Sequence, residues 1–457
     1  MEDPQVDLVI AGRVRVETGE WARGEVRVTG ERIVEISTDV GRRPAMRRID
    51  VGEAFVLPGV VDAHVHCLSH PGEGVAAATA AAAAGGVTTI VEMPFDHDGP
   101  INTVDRFNAK RELIENQAHV DVAMLATLAP GGGWRAAQDL ADAGAGGFKV
   151  SLFETDPRRF PRIDDAELLE VMAAVAGTGR ALCVHAENNE IVSSLIASER
   201  QRNPLDPGAH SRSRPPVSET LGVLTALEIA RAQGTRLHLC HLSLLRSVDL
   251  VRWYGAEGLD VSLETCPHYL SFTAGDLARH RGRLKINPPL RETSDLEGLW
   301  SRLISGAVDV IASDHAPWPA LNKDHAEIFA NHSGVPGVET ILPVTFSGGL
   351  DRGDDAVAAA VDALTANPAR RFGLGDRKGR LEAGFDADIA VFDPAGAQTL
   401  DEAALHSNAD WSPYHGRPVR GRVSLTVLRG RVVWDGRSEG TGLPEGEGYG
   451  RVLEPVS

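Results

Sequence analysis

Hydrophobic and polar residues alternate at both ends of the chain, as they do in strands that bury one face. The alternation runs through residues 7–36 and returns in residues 387–392 and 424–428. We interpret these segments as antiparallel strands. Because each group of strands has edges that need partners, the two ends are predicted to share one small β domain, made of residues 1–54 and 385–457.

Between the two ends, short apolar runs alternate with stretches of helical periodicity, which is typical of repeated βα units around a parallel sheet. Eight apolar runs lie near residues 56–62, 87–92, 119–127, 146–150, 181–185, 236–241, 258–264 and 308–313. Helical segments separate them, among them residues 75–84, 164–176 and 218–233. Eight such units close into a barrel. The predicted fold is therefore α/β, with a TIM-type (β/α)8 barrel over residues 55–384.

Charge and cysteine content exclude several classes of protein. The 457 residues include 46 basic and 64 acidic side chains, and the net charge of -18 would repel nucleic acid and anionic membranes. A small-molecule partner is favoured. No segment has the pattern of a signal peptide or a membrane span, and the four cysteines form no C-x-x-C pair. We therefore expect a soluble protein of the reducing cytoplasm, without disulfides or a structural zinc knuckle.

The first barrel strand runs directly into the sequence Ala63-His64-Val65-His66. Side chains at positions i and i+2 of a strand point to the same face. Both imidazoles can therefore reach one point at the mouth of the barrel, which is the geometry of metal ligands. Taken alone, a solvated loop with two unrelated histidines explains the pair equally well.

Four further predicted strands end in residues that bind metals or transfer protons. These residues are Lys149, His185, His241 and Asp314. A single histidine or aspartate at such a position often only caps a neighbouring helix. Barrel enzymes, however, place their active sites at the carboxyl ends of the strands. Five strand ends that all carry such residues indicate a catalytic metal site.

Lys149 needs a separate explanation, because an ammonium has no lone pair for a cation and would be repelled by one. Burial can lower the pKa of a lysine and leave a free amine. Carboxylation by carbon dioxide would convert this amine into a carbamate, whose two oxygens can bridge two metals. The alternative is an ordinary ion pair between Lys149 and a carboxylate.

The chain resembles the cyclic amidohydrolases of the amidohydrolase superfamily, the group of allantoinase, hydantoinase (dihydropyrimidinase) and dihydroorotase. The resemblance covers nearly the whole chain. It rests on the motifs L-P-G-V-V-D-A-H-V-H, A-G-G-V-T-T-I-V-E-M-P, G-F-K, V-H-A-E-N, L-H-L-C-H-L-S, E-T-C-P-H-Y, N-P-P-L-R and S-D-H-A-P, which occur in this order. The strands at both termini resemble the composite β-sandwich domain of the family.

This resemblance implies a two-metal site in which His64, His66 and Asp314 hold one cation, His185 and His241 hold the other, and carboxylated Lys149 bridges them. Zinc is the first expectation, with manganese, cobalt and iron as alternatives. The two cations would share a hydroxide that attacks the ring amide carbon. Asp314 would act as general base and then as general acid. The resemblance also implies a homo-oligomer, either a dimer or a tetramer.

Departures from the family pattern narrow the expected substrate. Dihydroorotases usually place an arginine after H-x-H and an asparagine after M-P, to bind the substrate carboxylate. This chain has residues 67–72 (C-L-S-H-P-G) and 95–98 (F-D-H-D) there, so dihydroorotase is disfavoured. Residues 92–94, 185–188 and 412–414 are more similar to allantoinase. The expected reaction opens a cyclic amide such as allantoin or a related hydantoin; a hydantoinase, a dihydropyrimidinase or another cyclic imide or lactam hydrolase is the alternative.

Four residues are predicted to contact the substrate. Asn287, Ser333 and Gly334 match positions that, in the family, present amide and backbone groups to the ring. Trp318 follows Asp314-His315-Ala316-Pro317, where a smaller residue is common. Its indole can stack on a flat ring or simply pack in the pocket wall. The loop after His66 is also shorter than usual.

Two other classes remain as competing interpretations. Some dihydropyrimidinase-like proteins are non-catalytic scaffolds that have lost metal ligands, whereas all six ligand positions are filled here. Deaminases of the same superfamily generally use one metal and lack a lysine on the fourth strand. The complete ligand set, with Lys149, therefore favours a hydrolase.

Overall fold

The computed structural model describes residues 5–16, 19–41, 43–437, 442–443 and 448–455. Within them, strands β1 to β18 are, in chain order, Val6–Arg15, Trp21–Thr29, Arg32–Ser37, Ala45–Pro58, Val60–Val65, Val87–Glu92, Phe95–Asp96, Gly99–Pro100, Asp121–Ala126, Gly147–Ser151, Ala181–His185, Leu237–Leu239, Val261–Thr265, Val310–Ile311, Ile389–Thr399, Pro418–Leu428, Arg431–Asp435 and Val452–Leu453. Helices α1 to α13 are Gly74–Ala84, Val104–Gln117, Ala137–Asp142, Asp165–Thr178, Asn189–Arg202, Gly208–Ser213, Pro216–Gln233, Leu245–Ala256, Leu277–His280, Thr293–Ile304, Ile341–Leu350, Asp354–Leu364 and Ala366–Arg371. Short 3-10 helices lie at Gly133–Ala136, Ala274–Asp276, Arg281–Leu284, Ala320–Asn322, Ile328–Ala330 and Glu402–Ala404.

Eight parallel strands form the predicted barrel, in the order β5, β6, β9, β10, β11, β12, β13 and β14. The last strand returns to the first through a bridge between Val65 and His315. The backbone N–H of Ser313 also donates to the Asp62 carboxylate at 2.9 Å. The (β/α)8 barrel is therefore confirmed, with β14 and β5 joined more loosely than the other neighbours.

The helices around the barrel begin and end where the sequence provides caps. The side chain of Asp164 accepts a hydrogen bond from the backbone of Glu167 at the start of α4, which ends at Gly179 with a φ of 69°. Helix α7 starts with Pro216 and ends at Gly234, with a φ of 68°. The helices predicted for residues 75–84, 164–176 and 218–233 are confirmed as α1, α4 and α7, within two residues at each end.

Both ends of the chain contribute to a second sheet, with the strand order β17, β16, β15, β4, β1, β2, β3. Its buried residues, among them Ile10, Val26, Ile389 and Leu425, form a core separate from that of the barrel. The predicted composite β domain is therefore confirmed. The prediction that these strands all pair antiparallel is wrong for one pair. Strand β4 runs parallel to β1, on the side of β1 opposite to β2.

The first barrel strand differs from its prediction at residues 56–62. Residues up to Pro58 belong to β4 in the second sheet, and β5 starts at Val60. Gly59 separates them: its N–H donates to the Asp388 carbonyl at 2.9 Å, and a Cβ there would collide with the Thr88 side chain. The predicted division of the chain at residues 54 and 385 stays a prediction, and β18 pairs with barrel strand β9.

None of the helices in the described ranges is both long and apolar enough to cross a membrane.

Candidate active site

A cavity opens at the carboxyl ends of the barrel strands, with about 680 Å³ of empty space when the part open to solvent is included. Its wall includes the six predicted metal ligands and the four predicted substrate contacts, namely His64, His66, Lys149, His185, His241, Asp314, Asn287, Trp318, Ser333 and Gly334. The structure thus brings together residues that are up to 270 positions apart, 334 minus 64, in the chain. Sequence reasoning did not identify the apolar part of the wall, formed by Met93, Phe95 and Phe160.

His64, His66 and Asp314 form the first group of ligand atoms. One carboxylate oxygen of Asp314 lies 3.3 Å from Nε2 of His64 and 3.6 Å from Nε2 of His66. Burial lowers the pKa of His66 to about 4, so its imidazole is neutral and has a lone pair. Its buried Nδ1 has no hydrogen-bond partner among the described residues. Two imidazoles and a carboxylate are a suitable donor set for a divalent cation.

His185 and His241 form the second group, with Nδ1 of His185 3.1 Å from Nε2 of His241. The other nitrogen of His185 lies 2.9 Å from the Glu187 carboxylate. Burial lowers the pKa of His241 well below its ordinary value. A carboxylate behind a histidine fixes the orientation of its ring, as in known metal sites. The paired nitrogens of the two rings therefore face one point and can bind one cation.

Two of the predicted ligands have an unusual backbone conformation. His241 and Asp314 have positive φ angles, 39° and 47°, which side chains other than glycine rarely adopt. Such strain persists only where the surrounding structure enforces it, and it is concentrated at functional sites. Here it turns both side chains toward the cavity just after strands β12 and β14 end.

Lys149 lies beside the first group, with its Nζ 3.2 Å from Nε2 of His64, and also 3.2 Å from Sγ of Cys240, the residue before His241. Burial lowers the pKa of Lys149, but Cys240 and Glu264 raise it, and the balance is above the ordinary value. The expected lowering of this pKa is therefore wrong for the polypeptide by itself, because buried acidic groups surround the amine. Within the described part of the chain, Lys149 forms no ion pair with a carboxylate at salt-bridge distance, so the alternative explanation is not supported.

Glu264 connects the two groups, and sequence reasoning missed it. One of its oxygens lies 2.5 Å from Nδ1 of His64 and accepts the backbone N–H of His241 at 3.1 Å. The other lies 3.1 Å from Nε2 of His238. Burial raises the pKa of Glu264, but the two histidines lower it far more, so the carboxylate stays ionised. The available signal was the E-T-C-P-H-Y motif, which places Glu264 near the end of strand β13.

Glu264→Gln should weaken cation binding by roughly 10- to 100-fold, the usual cost of losing a group that orients metal ligands. The amide would leave His64 and His238 without an anionic acceptor. Competition with a chromophoric chelator would measure the affinity. Glu257→Gln, an exposed residue at the end of α8, is the matched control, and an unchanged affinity in Glu264→Gln would rule out this role.

A buried ion network supports His185 from the other side. Arg214, 3% exposed, pairs with Glu187. Burial raises the pKa of Glu187, but Arg214 and His185 together bring it below its ordinary value, so the carboxylate stays ionised. Arg291, the last residue of N-P-P-L-R, donates to the Arg214 carbonyl at 2.6 Å. The motif residues Glu187 and Arg291 therefore support the cavity wall from behind.

The predicted substrate contacts differ in whether their polar atoms already have hydrogen-bond partners. The buried Oδ1 of Asn287 has no partner among the described residues and is available to a ligand. The N–H of Gly334 already donates to the Lys285 carbonyl at 3.0 Å. The Ser333 carbonyl accepts the indole N–H of Trp318, also at 3.0 Å. Trp318 stacks on His332 with 4.1 Å between ring centroids, so its indole is fixed as a wall of the cavity.

Arg159 joins four of the loops around the mouth of the cavity, and no sequence pattern indicated it. Its guanidinium lies 4.5 Å from the ring centre of Phe95 and 5.7 Å from that of Trp318. It also donates to the Ser69 carbonyl at 3.1 Å and to the Asp156 carboxylate at 2.8 Å. The loops after β5, β6, β10 and β14 are therefore held to each other by one side chain.

Comparisons with known proteins agree with this geometry. Residues 55–433 match the family model described as the amidohydrolase family. The chain is 37% identical to an allantoinase of Rubrobacter xylanophilus, over 94% of each chain, and 36% identical to an allantoinase of Deinococcus radiodurans, over 99% of each. The solved L-hydantoinase (dihydropyrimidinase) of Arthrobacter aurescens superposes with a TM-score of 0.93 at 31% identity, covering 98% of this chain and 100% of that one. The chain belongs to the amidohydrolase family, in its group of cyclic amidohydrolases.

Proposed function

We propose that the chain hydrolyses the ring C–N bond of a small cyclic amide, with allantoin or a related hydantoin as the first expectation. The observation that carries the proposal is that both ligand groups and Lys149 line one cavity at the carboxyl ends of the barrel strands. Members of the family typically depend on metal ions, and the donor set here fits divalent cations. The relatives named above are allantoinases and a hydantoinase.

Two cations, zinc first and manganese, cobalt or iron as alternatives, would supply an acidified water and polarise the ring carbonyl. His64, His66 and Asp314 would hold one, His185 and His241 the other, with a carbamate on Lys149 between them. Cations near Lys149 would also repel its ammonium. This repulsion would lower the pKa of Lys149 and so oppose the increase that the buried acidic groups cause. Carbon dioxide would then be able to react with the free amine.

Asp314 would receive the proton of the attacking water and pass it to the leaving ring nitrogen. Burial raises the pKa of this carboxyl, but His64 and the hydrogen bond from His66 lower it to about 2. It is therefore an anion at neutral pH and can act as a base. The free carboxamide oxygen of Asn287 would accept a ring N–H, and the apolar wall of Phe95, Phe160 and Trp318 would exclude water.

A carboxylate-bearing ring such as dihydroorotate fits this cavity poorly. Among the described residues that line it, Lys149 carries the one Lys or Arg side chain, and it lies against His64. Arg159, at the mouth of the cavity, is already paired with Asp156, so the carboxylate clamp typical of dihydroorotases has no replacement in the lining. The scaffold interpretation is disfavoured because all six ligand positions face one cavity. A homo-oligomer, dimer or tetramer, and a cytoplasmic location remain predictions from the sequence.

The test is a hydrolysis panel of allantoin, unsubstituted and 5-substituted hydantoins, dihydrouracil, dihydroorotate and simple cyclic imides and lactams, followed by loss of the ring amide. We expect allantoin or a hydantoin to open fastest and dihydroorotate slowest. The Asp314→Asn protein, purified in parallel, measures contamination by host enzymes. If no ring opens in metal-supplemented buffer, the proposed function is wrong; if only a lactam or imide opens, the reaction class survives and the hydantoin subclass does not.

Trp318→Ala should change which rings are accepted. Removal of the indole enlarges the cavity and frees the Ser333 carbonyl, so kcat/KM for bulky 5-substituted hydantoins should rise relative to unsubstituted hydantoin by roughly tenfold. Trp253→Ala, at a residue 54% exposed on α8, is the control. An unchanged ratio in Trp318→Ala would show that Trp318 does not limit the substituent.

A further inference from the structure

Lys323 is fully buried, with 0% exposure, in the loop region that follows strand β14. Its Nζ donates to three backbone carbonyls, those of Lys285 at 3.0 Å, His332 at 2.7 Å and Gly334 at 2.6 Å. No carboxylate in the described ranges lies within ion-pair distance of it. A buried lysine without a carboxylate partner is unusual, so the three carbonyls need a functional or structural reason.

The number of bonds defines the state of this side chain. A neutral amine has two N–H groups, whereas an ammonium has three, so three carbonyl acceptors use every proton of the charged form. Burial lowers the pKa of Lys323 well below its ordinary value, and the nearby Lys285 lowers it further. The carbonyl dipoles oppose both effects. All three carbonyls are therefore satisfied only when Nζ is an ammonium.

The three carbonyls belong to two segments that meet at the cavity. Lys285 begins the segment that leads to Asn287, and His332 and Gly334 flank Ser333. Apart from Lys323, the segments share the bond from the N–H of Gly334 to the Lys285 carbonyl and one from the Lys285 ammonium to the Asn331 carbonyl. Lys323 is thus the one side chain in the described ranges whose hydrogen bonds reach both segments from outside them.

We propose that Lys323 is a positioning residue that holds the Asn287 segment and the Ser333–Gly334 segment at the spacing a ring substrate requires. It touches no substrate itself and acts through the residues that do. Its effect is on binding, because the two segments carry three of the four predicted ring contacts and none of the six predicted metal ligands. The inference rests on the proposed function, since those contacts are with the ring of a cyclic amide.

Two substitutions test this role in the full-length, metal-loaded protein. Lys323→Met keeps the length of the side chain and removes all three donors, and Lys323→Arg keeps the charge but replaces three converging protons with a flat fork. In both we expect KM for the best ring of the panel to rise roughly 10- to 100-fold because the contacts shift, with kcat within about threefold of wild type. Metal content should be unchanged.

The matched control is Lys378→Met, because Lys378 is equally buried and also has three partners, Asp121, Asp386 and Asp388. That residue lies away from the cavity, so its loss should lower stability without raising KM. Each protein is assayed below its unfolding temperature; if Lys323→Met does not fold, Lys323→Arg decides. If the wild type opens a ring but the folded Lys323 variants keep the wild-type KM, the positioning role is wrong and the proposed function stands. If the wild type opens no ring, the positioning role and the proposed function are both wrong.

Discussion

Asp314→Asn should leave the protein folded and able to bind metal while turnover falls by about 10²- to 10⁴-fold, the usual contribution of a general base. The amide keeps an oxygen near His64 and His66 but cannot accept the proton of the attacking water. The backbone also tolerates the change, because Asp314 has a φ of 47° and asparagine adopts this region readily.

Steady-state kinetics on the best ring of the panel, with metal content determined on the same sample, measures this effect. Asp410→Asn is the control for the backbone, since Asp410 also has a positive φ, 61°, and is exposed. Turnover close to wild type in Asp314→Asn would remove this residue from proton transfer. Loss of metal along with turnover would instead show that Asp314 is needed to bind the metal, so this variant would not separate metal binding from proton transfer.

The Lys149→Ala variant should no longer hold two cations together, and it should show no measurable turnover. In the proposed function a carbamate on Lys149 would connect the two groups, and without it each group would retain only histidines or histidines with Asp314. We expect metal content to fall from about two per chain to one or fewer. Elemental analysis and the ring-opening assay give the two readings.

Chemical rescue distinguishes the carbamate from the ammonium. Butyrate should restore part of the turnover of Lys149→Ala, because its carboxylate can take the place of the carbamate oxygens in the space that the side chain leaves. Butylammonium should restore none. The reverse outcome, rescue by the amine alone, would show that Lys149 acts as a cation and would refute the carbamate.

The metal-ligand candidates were accessible from sequence because each depends on a local rule. His64 and His66 follow from the two-residue period of a strand, and His185, His241 and Asp314 follow from the position of strand ends in a barrel. The helices α4 and α7 were accessible for a similar reason, since Asp164, Gly179 and Gly234 mark their ends locally.

Other features depend on partners distant in the chain. Glu264 acts through His64, 200 residues away, and Arg159 acts through Ser69, 90 residues away; neither residue has a neighbour in sequence that reveals the contact. Lys323 lies in a loop with no periodicity. The division of the first strand at Gly59 likewise depends on Thr88, on β6, and on Asp388, just before β15.

The raised pKa of Lys149 also depends on residues that are distant in the chain. Burial alone predicts a neutral amine, but the direction of the shift depends on which charges the fold collects around it. Cys240 follows strand β12 and Glu264 lies on strand β13, and sequence order does not show that they meet Lys149.

We expect the chain to open a cyclic amide only when cations are held by His64, His66, Lys149, His185, His241 and Asp314. The most direct measurement is a zinc titration of the chelator-treated full-length protein, with ring opening of allantoin or a hydantoin followed at each step. We expect negligible turnover before zinc is added and a plateau at about two ions per chain. Full turnover in protein shown by elemental analysis to contain no metal would contradict the claim.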